Sequence, residues 1–197
     1  MTAVRPGSES ASQELDDDQV VERVRAGDVA CFEVVMRRYN QRLYRVVRAI
    51  VRNDDETVDI MQTAYLNALS HLDGFSGRAR FSTWLTRIAV HEAFARLRRS
   101  RRLEPLTELD AEEPTMASPE PGPEDRFGSR ELRSFLEDAV DALPEVFRTA
   151  FVLRSVENLS VSETSEVLGI PEETVKTRHH RARERLQSAL LERAGVE

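Results

Sequence analysis

Residues 172–186 read Glu-Glu-Thr-Val-Lys-Thr-Arg-His-His-Arg-Ala-Arg-Glu-Arg-Leu and directly follow a turn signal. This short stretch holds five cations, although the formal net charge of the whole chain is −7. The five are Lys176, Arg178, Arg181, Arg183 and Arg185. An acidic chain that gathers its positive charge in a few helical stretches is typical of proteins that contact a phosphate backbone.

The residues before this stretch predict a helix-turn-helix. Ser160 and Glu163 have the spacing of a capping box that opens a short helix. Gly169-Ile-Pro171 then predicts a tight turn with a helix-starting proline. The second helix of such a motif commonly enters the major groove of DNA. A solvated cationic helix end that complements its own dipole is the alternative interpretation.

Helical periodicity divides the last helix into two faces. We expect the inward face to carry Val175, His179, Ala182 and Leu186. The candidates for contact with base edges are Thr177, His180 and Arg181. The candidates for contact with phosphates are Lys176, Arg178, Arg183 and Arg185.

The rest of the chain predicts an all-α fold, because no segment alternates with period two over a strand's length. Residues 104–126 hold five prolines and eight acidic residues against a single cation, Arg126. Such a segment resists helix formation and repels itself, so it predicts a flexible acidic linker between two small helical domains. The predicted divisions are a disordered N-terminus (1–15), a first domain (16–103), the linker (104–128) and a second domain (129–193).

Apolar spacing predicts the individual helices of the first domain. A short helix runs from Asp16 to Gly27, and Asp28 is expected to cap a long helix with Met36 among its inward residues. Asn53 opens a helix that ends near Gly74 and turns Val58 inward. Two further helices are expected, one from Phe81 through Ile88 and a basic one over 91–102.

The predicted basic helix combines cations with nearby aromatic residues. Arg96, Arg98, Arg99, Arg101 and Arg102 lie within seven residues that contain no acid. Arg80, Phe81, Trp84 and Arg87 lie just upstream. Cations with aromatic side chains suit single-stranded or unwinding nucleic acid. The alternatives are a solvated helix end for the arginines and a core position for Trp84.

Other functional classes find little support in the sequence. No run of 18 apolar residues and no signal peptide is present, which predicts a cytoplasmic chain without membrane insertion. The only cysteine is Cys31, expected to be a core thiol. His91-Glu92 opens like a zinc-protease helix, but the second ligand position holds Ala95. We therefore predict no enzyme, no catalytic residue, no metal and no cofactor.

Two ordered blocks of sequence resemble a known family. Asp59-Ile-Met-Gln-Thr-Ala-Tyr-Leu66 and Phe81-Ser-Thr-Trp-Leu-Thr-Arg-Ile-Ala89 resemble region two of bacterial sigma factors. Leu143-Pro-Glu145, Phe151-Val-Leu-Arg154 and residues 174–186 resemble region four. The short chain with only an acidic linker between the blocks is similar to the extracytoplasmic-function (ECF) subgroup of the sigma-70 family.

This resemblance implies partners and site residues. Sigma factors bind core RNA polymerase, at the clamp coiled coil of its largest subunit and at the flap, and direct it to promoter DNA. By motif position the polymerase-docking residues are Asp55, Asp59, Gln62 and Asn67. The residues that would read and melt the −10 element are Arg80, Trp84, Arg87, His91, Glu92, Arg96, Arg98 and Arg99. Thr174 joins the seven candidates on the last helix as a reader of the −35 element.

The resemblance also implies roles for the linker and for a regulator. The linker would thread near the polymerase active centre, where its acids mimic nucleic acid. An anti-sigma factor is a common partner in the family. Many members carry Asn where His91 stands, Asp where Ala95 stands, and Leu or Ile where His179 stands. A stand-alone helix-turn-helix regulator is the alternative function.

Overall fold

The computed structural model describes residues 15–103 and 128–194 of the 197-residue chain. Every regular element in these two ranges is helical, which confirms the all-α prediction. The chain divides into two units, Met1–Phe94 and Ala95–Glu197. The expected disordered tail and linker lie outside the described residues, apart from Leu15 and Gly128.

Four α-helices occupy the described residues up to 103. They are α1 (Asp17–Arg25), α2 (Phe32–Val51), α3 (Asp54–Ser70) and α4 (Phe81–Leu103). One 3-10 turn, Val29–Cys31, precedes α2, and another, Leu72–Gly74, follows α3. The predicted extension of α3 to Gly74 is therefore a separate turn, which Arg25 holds through hydrogen bonds to the carbonyls of Leu72 (2.7 Å) and Phe75 (2.6 Å).

The starts of the helices depend on local side-chain caps. Asp16 caps α1 by accepting from the Gln19 N–H at 2.8 Å, and Asn53 caps α3 by accepting from the Glu56 N–H at 2.9 Å. The prediction that Asp28 caps the long helix was wrong. Its carboxylate accepts a hydrogen bond from Arg23 at 2.7 Å, and the 3-10 turn separates it from α2.

The core of the first unit is built mainly from α2, α3 and α4. Its fully buried side chains include Val35, Leu43, Val46, Val47 and Leu85. Cys31 is buried and free, as expected. Two residues predicted to face inward are exposed, Met36 by 41% and Val58 by 45%. Their neighbours Val35 and Thr57 take the inward positions, because one residue step turns a side chain by about 100° around the helix.

The region from Phe81 to Leu103 is one helix, although two were predicted. No glycine or proline interrupts it, and Ala89, Val90 and Ala93 are fully buried. Backbone hydrogen bonding therefore continues through the predicted break at 89–90.

The second unit carries α5 (Gly128–Ala142), α6 (Glu145–Phe151), α7 (Val161–Leu168) and α8 (Glu172–Ala194). A π-helical segment, Val152–Val156, continues α6. Pro144 stands at the N-cap of α6. The predicted capping box of α7 is confirmed in both directions, between Ser160 and Glu163.

A buried arginine ties the end of α5 to α6. Arg148 is 3% exposed and donates hydrogen bonds to the carbonyls of Asp141 (2.9 Å) and Leu143 (2.7 Å). These carbonyls belong to the end of a helix, where intrahelical donors are lacking. The guanidinium thus supplies the missing donors and fixes the start of α6 against α5.

Candidate nucleic-acid and polymerase interfaces

The turn between α7 and α8 has a fixed backbone geometry. Gly169 has a φ of +64°, in the left-handed region that favours glycine, and its N–H donates to the Ser165 carbonyl at 2.8 Å. The Ser165 hydroxyl donates to the Ile170 carbonyl at 2.5 Å. The N–H of Val175 donates to the Pro171 carbonyl at 3.1 Å, which closes the first turn of α8. The helix-turn-helix predicted from the sequence is therefore present.

The inward face of α8 follows the predicted period. Val175 and Ala182 are fully buried, and Leu186 is 8% exposed. Ala182 and Leu186 pack with Ala139 and Leu143 of the α5 end. The packing of these residues fixes which way the opposite face of α8 points.

His179 shares that inward face but is only half-buried. Its Nε2 lies 2.8 Å from the Ser155 hydroxyl, and its ring stacks on Phe151 with centroids 6.3 Å apart. Burial, followed by the charges of Arg154, Arg183 and His180, lowers the pKa of His179 below 6.5. The imidazole is therefore held neutral at neutral pH and acts as a packing and hydrogen-bonding residue.

The outward face of α8 carries the three candidates for base contact, all of them exposed. The Thr177 hydroxyl donates to the Glu173 carbonyl at 2.9 Å, which leaves its oxygen free only to accept. His180 Nε2 lies 3.3 Å from Glu184 Oε1. No ion pair between described residues involves Arg181. Of the three, Arg181 has the most donors available to a base edge.

The remaining α8 candidates differ in their surroundings. Lys176 is exposed and pairs with Glu173 at 3.1 Å. Arg183 is exposed, and Arg185 lies over the Phe147 ring at 5.5 Å from its centroid. Thr174 and Arg178 are half-buried. All of them border the exposed face, so the helix offers a cationic surface rather than isolated charges.

The candidates on α4 divide between surface and aromatic packing. His91, Arg96, Arg98 and Arg99 are exposed, as is Arg80 before the helix, whereas Arg87 is half-buried. Trp84 is also half-buried, with its ring centroid 5.4 Å from that of Phe75 and 5.5 Å from that of Phe81. The indole is thus held by two aromatic neighbours with part of its surface accessible.

Glu92 and Asn67 lie together. The Asn67 amide donates to Glu92 Oε1 at 2.9 Å, and both residues are half-buried. The sequence assigned them to different surfaces, a −10 surface and a polymerase surface. In the structure their side chains contact each other between α3 and α4.

The other docking candidates form an exposed stripe on α3. Asp55, Asp59 and Gln62 are exposed at helical spacing. The same face carries two residues that the sequence reasoning missed, Val58 at 45% exposure and Leu66 at 66%. We call this set, Asp55, Val58, Asp59, Gln62 and Leu66, the docking stripe. Val58 and Leu66 stand three, four or seven residues from the predicted polar docking residues. This helical spacing could have identified them from the sequence.

Residues 15–103 and 128–194 contain no group of three His, Cys, Asp or Glu side chains arranged to hold a metal ion. No helix among them has the length and apolarity to cross a bilayer.

Comparison with known families identifies both halves of the chain. Residues 35–103 match the family described as Sigma-70 region 2. Residues 136–186 match Sigma-70, region 4. The matches contain α3 with the docking stripe, the whole of α4, and the helix-turn-helix.

Individual relatives match over almost the whole chain. The ECF RNA polymerase sigma factor SigW of Bacillus subtilis (strain 168) is 35% identical over 179 residues, which cover 86% of this chain and 94% of the relative. The ECF RNA polymerase sigma-E factor of Escherichia coli (strain K12) is 34% identical over 183 residues, covering 90% and 95%.

Solved structures share the fold at lower identity. CnrH, solved in complex with the cytosolic domain of CnrY, is 23% identical with a TM-score of 0.59, covering 87% of this chain and 94% of CnrH. The sigma factor RpoE of Bartonella quintana, solved with the anti-sigma factor NepR, is 23% identical with a TM-score of 0.62, covering 81% and 96%. Family and relatives together show that this chain belongs to the ECF subgroup of the sigma-70 family, whose members bind core RNA polymerase and direct promoter-specific transcription initiation.

Proposed function

We propose that this sigma factor binds core RNA polymerase through the docking stripe, opens the −10 element with α4 and reads the −35 element with α8. The observation that carries this division is the docking stripe. It is an exposed face that combines apolar, acidic and amide side chains, which suits a protein partner and not a phosphate backbone. A stand-alone helix-turn-helix regulator has no need of such a face in addition to its DNA-reading helix.

The chemistry of the docking stripe favours a basic, partly apolar partner surface. Leu66 is 66% exposed and Val58 45%, so binding removes apolar surface from water without unfolding any part of the helix. Asp55 and Asp59 are exposed beside them and would steer a positively charged partner toward this face. The clamp coiled coil of the largest polymerase subunit is the partner that the family suggests.

The exposed face of α8 supports readout of duplex DNA. Its arginines carry the phosphate contacts, and Arg181 is the side chain best placed for a bidentate contact with a guanine edge. Thr177 and His180 flank Arg181 on the same face and would complete the −35 preference. Thr174, Lys176, Arg178, Arg183 and Arg185 border this face and are proposed to hold the backbone.

The exposed arginines of α4 support contact with a melted strand. Arg96, Arg98 and Arg99 are proposed to track its phosphates, and the half-buried Trp84 to lie beside the unstacked bases. His91 is an exposed polar side chain of α4 and is proposed to contact a base. Arg80 and Arg87 flank the aromatic cluster and complete the proposed −10 set.

The solved relatives support one further partner. Two of them were solved in complex with a second protein, named as the cytosolic domain of CnrY in one case and as the anti-sigma factor NepR in the other. We propose that an anti-sigma factor also regulates this chain and competes with polymerase for the docking stripe. We further propose that this sigma factor itself acts in the cytoplasm with polymerase and has no catalytic activity of its own.

Run-off transcription tests the proposal. Core polymerase is assayed with and without this chain on a library of upstream sequences, and the expected result is product from templates that share −10 and −35 elements. Absence of promoter-dependent product with every compatible core would overturn the proposal. Tight, sequence-specific binding of the isolated chain to duplex DNA would instead favour the stand-alone regulator.

A further inference from the structure

The hydrogen bond between Asn67 and Glu92 joins two helices to which different tasks are proposed. Asn67 lies in the last full turn of α3, where its carbonyl accepts from the His71 N–H at 3.0 Å. Its amide points away from the docking stripe, because one step beyond Leu66 rotates a side chain by about 100°. The amide instead donates to Glu92 Oε1 at 2.9 Å.

Glu92 lies on the inward side of α4. Leu85 and Ala89, seven and three residues before it, are fully buried on the same face, and Ala93 is buried next to it. The carboxylate is half-buried, and its bond to the amide is charge-assisted. Such a bond is stronger at this protected position than it would be in bulk water.

We propose that Asn67 and Glu92 are a positioning pair, which fixes the −10 helix α4 to the polymerase-docking helix α3. This inference rests on the proposed function. Polymerase that holds α3 then presents α4 to the promoter in one orientation, and loss of the bond allows α4 to tilt relative to the docked helix. Neither side chain contacts polymerase or DNA; both act through the helices that carry them.

The two residues allow an isosteric exchange of donor and acceptor. Asn67→Asp places two carboxylates against each other and removes the bond, with no change in side-chain size. Asn67→Asp combined with Glu92→Gln restores an amide-to-carboxylate bond with its direction reversed. Glu33→Gln is the matched control, because it removes one carboxylate from an exposed pair with Arg37 on α2.

Three measurements separate positioning from simple stability. They are the affinity for core polymerase, the yield of open complexes on a duplex promoter, and the yield on the same promoter with a mismatched, already open −10 segment. For Asn67→Asp we expect wild-type core affinity and a roughly tenfold loss of open complexes on the duplex. On the already open template, Asn67→Asp should regain most of its yield of open complexes. The double variant should restore opening of the duplex promoter, and Glu33→Gln should match the wild-type chain.

Several results would overturn the inference. One is wild-type opening by Asn67→Asp. A second is loss of core affinity and of open complexes by the same factor, which indicates a general loss of structure. A third is failure of the double exchange to restore opening in a variant whose thermal unfolding midpoint is normal. Failure of the proposed function is distinct, since the wild-type chain itself would then give no promoter-dependent open complex.

Discussion

The Ser155 hydroxyl lies 2.8 Å from His179 Nε2, and this contact joins the π-helical segment to the recognition helix α8. The ring of Phe151 stacks on the same imidazole. A charged imidazole is disfavoured here, because the site is partly buried and two arginines and a second histidine lie nearby. The contact therefore links the orientation of α8 to a neutral His179.

Stability should consequently fall in mild acid. The pKa of His179 is lowered in the folded chain below 6.5, so the unfolded chain takes up the proton more readily. The contribution of His179 to the free energy of unfolding should be constant above about pH 7 and decrease as the pH falls below 6.5 towards the folded pKa. Urea unfolding followed by circular dichroism should show that the free energy of unfolding of His179→Gln changes less with pH than that of the wild-type chain. His91→Gln, at an exposed position on α4, is the control and should keep the wild-type slope.

Arg181 should separate promoter reading from polymerase binding. Arg181→Ala removes the donors of an exposed side chain that forms no ion pair between described residues. We expect the affinity of the holoenzyme for a −35 duplex to weaken by about 1–3 kcal/mol, measured by fluorescence anisotropy, with unchanged binding to core. Arg133→Ala on α5, where the arginine pairs with Glu137, should leave both affinities unchanged. Equal losses in the two affinities would refute this division of tasks.

Leu66 should contribute to polymerase binding and little to folding. Leu66→Ser replaces a side chain that is 66% exposed. The free energy of unfolding of the protein should therefore change by less than about 0.5 kcal/mol. Binding to core polymerase should weaken by about 1 kcal/mol or more, measured by competition with a labelled sigma factor. Val29→Ser, at a 53% exposed site outside α3, is the matched control. A normal core affinity for Leu66→Ser would remove Leu66 from the interface.

Gly169 should show a cost that comes from backbone conformation alone. Its φ is +64°, and a Cβ atom added there meets no atom within 4 Å. Gly169→Ala should destabilise the protein by about 1–2 kcal/mol, through strain in the left-handed region and without a steric clash. Gly74→Ala also adds a Cβ into open space but has no positive φ, and it should be nearly neutral in thermal unfolding. Gly169→Asn should recover part of the loss.

The sequence predicts best those features that depend on residues close together in the chain. The Ser160–Glu163 capping box, the turn at Gly169 and the inward face of α8 all follow from spacings within one or two helical turns. Each is governed by local backbone hydrogen bonding or by the helical period. The all-α class follows for the same reason.

Features that depend on distant neighbours could not be predicted in this way. Asn67 and Glu92 are 25 residues apart, and no local pattern indicates that their side chains meet. Met36 and Val58 have inward spacing but lie on exposed sides of their helices. Asp28 has the chemistry of a helix cap, but Arg23 binds its carboxylate. In each case a partner chosen by tertiary structure decides the outcome.

The continuity of α4 has a consequence for how its arginines tolerate insertions and deletions. A loop between two helices would absorb an extra residue. In an unbroken helix, an inserted residue instead rotates every downstream side chain by about 100° around the axis and shifts it by about 1.5 Å along the axis. The angular phase of Arg96, Arg98 and Arg99 is thus inherited from Leu85 and Ala89, which are anchored in the core. A single inserted residue near Ala93 would misdirect all three arginines at once, although none of them had been changed.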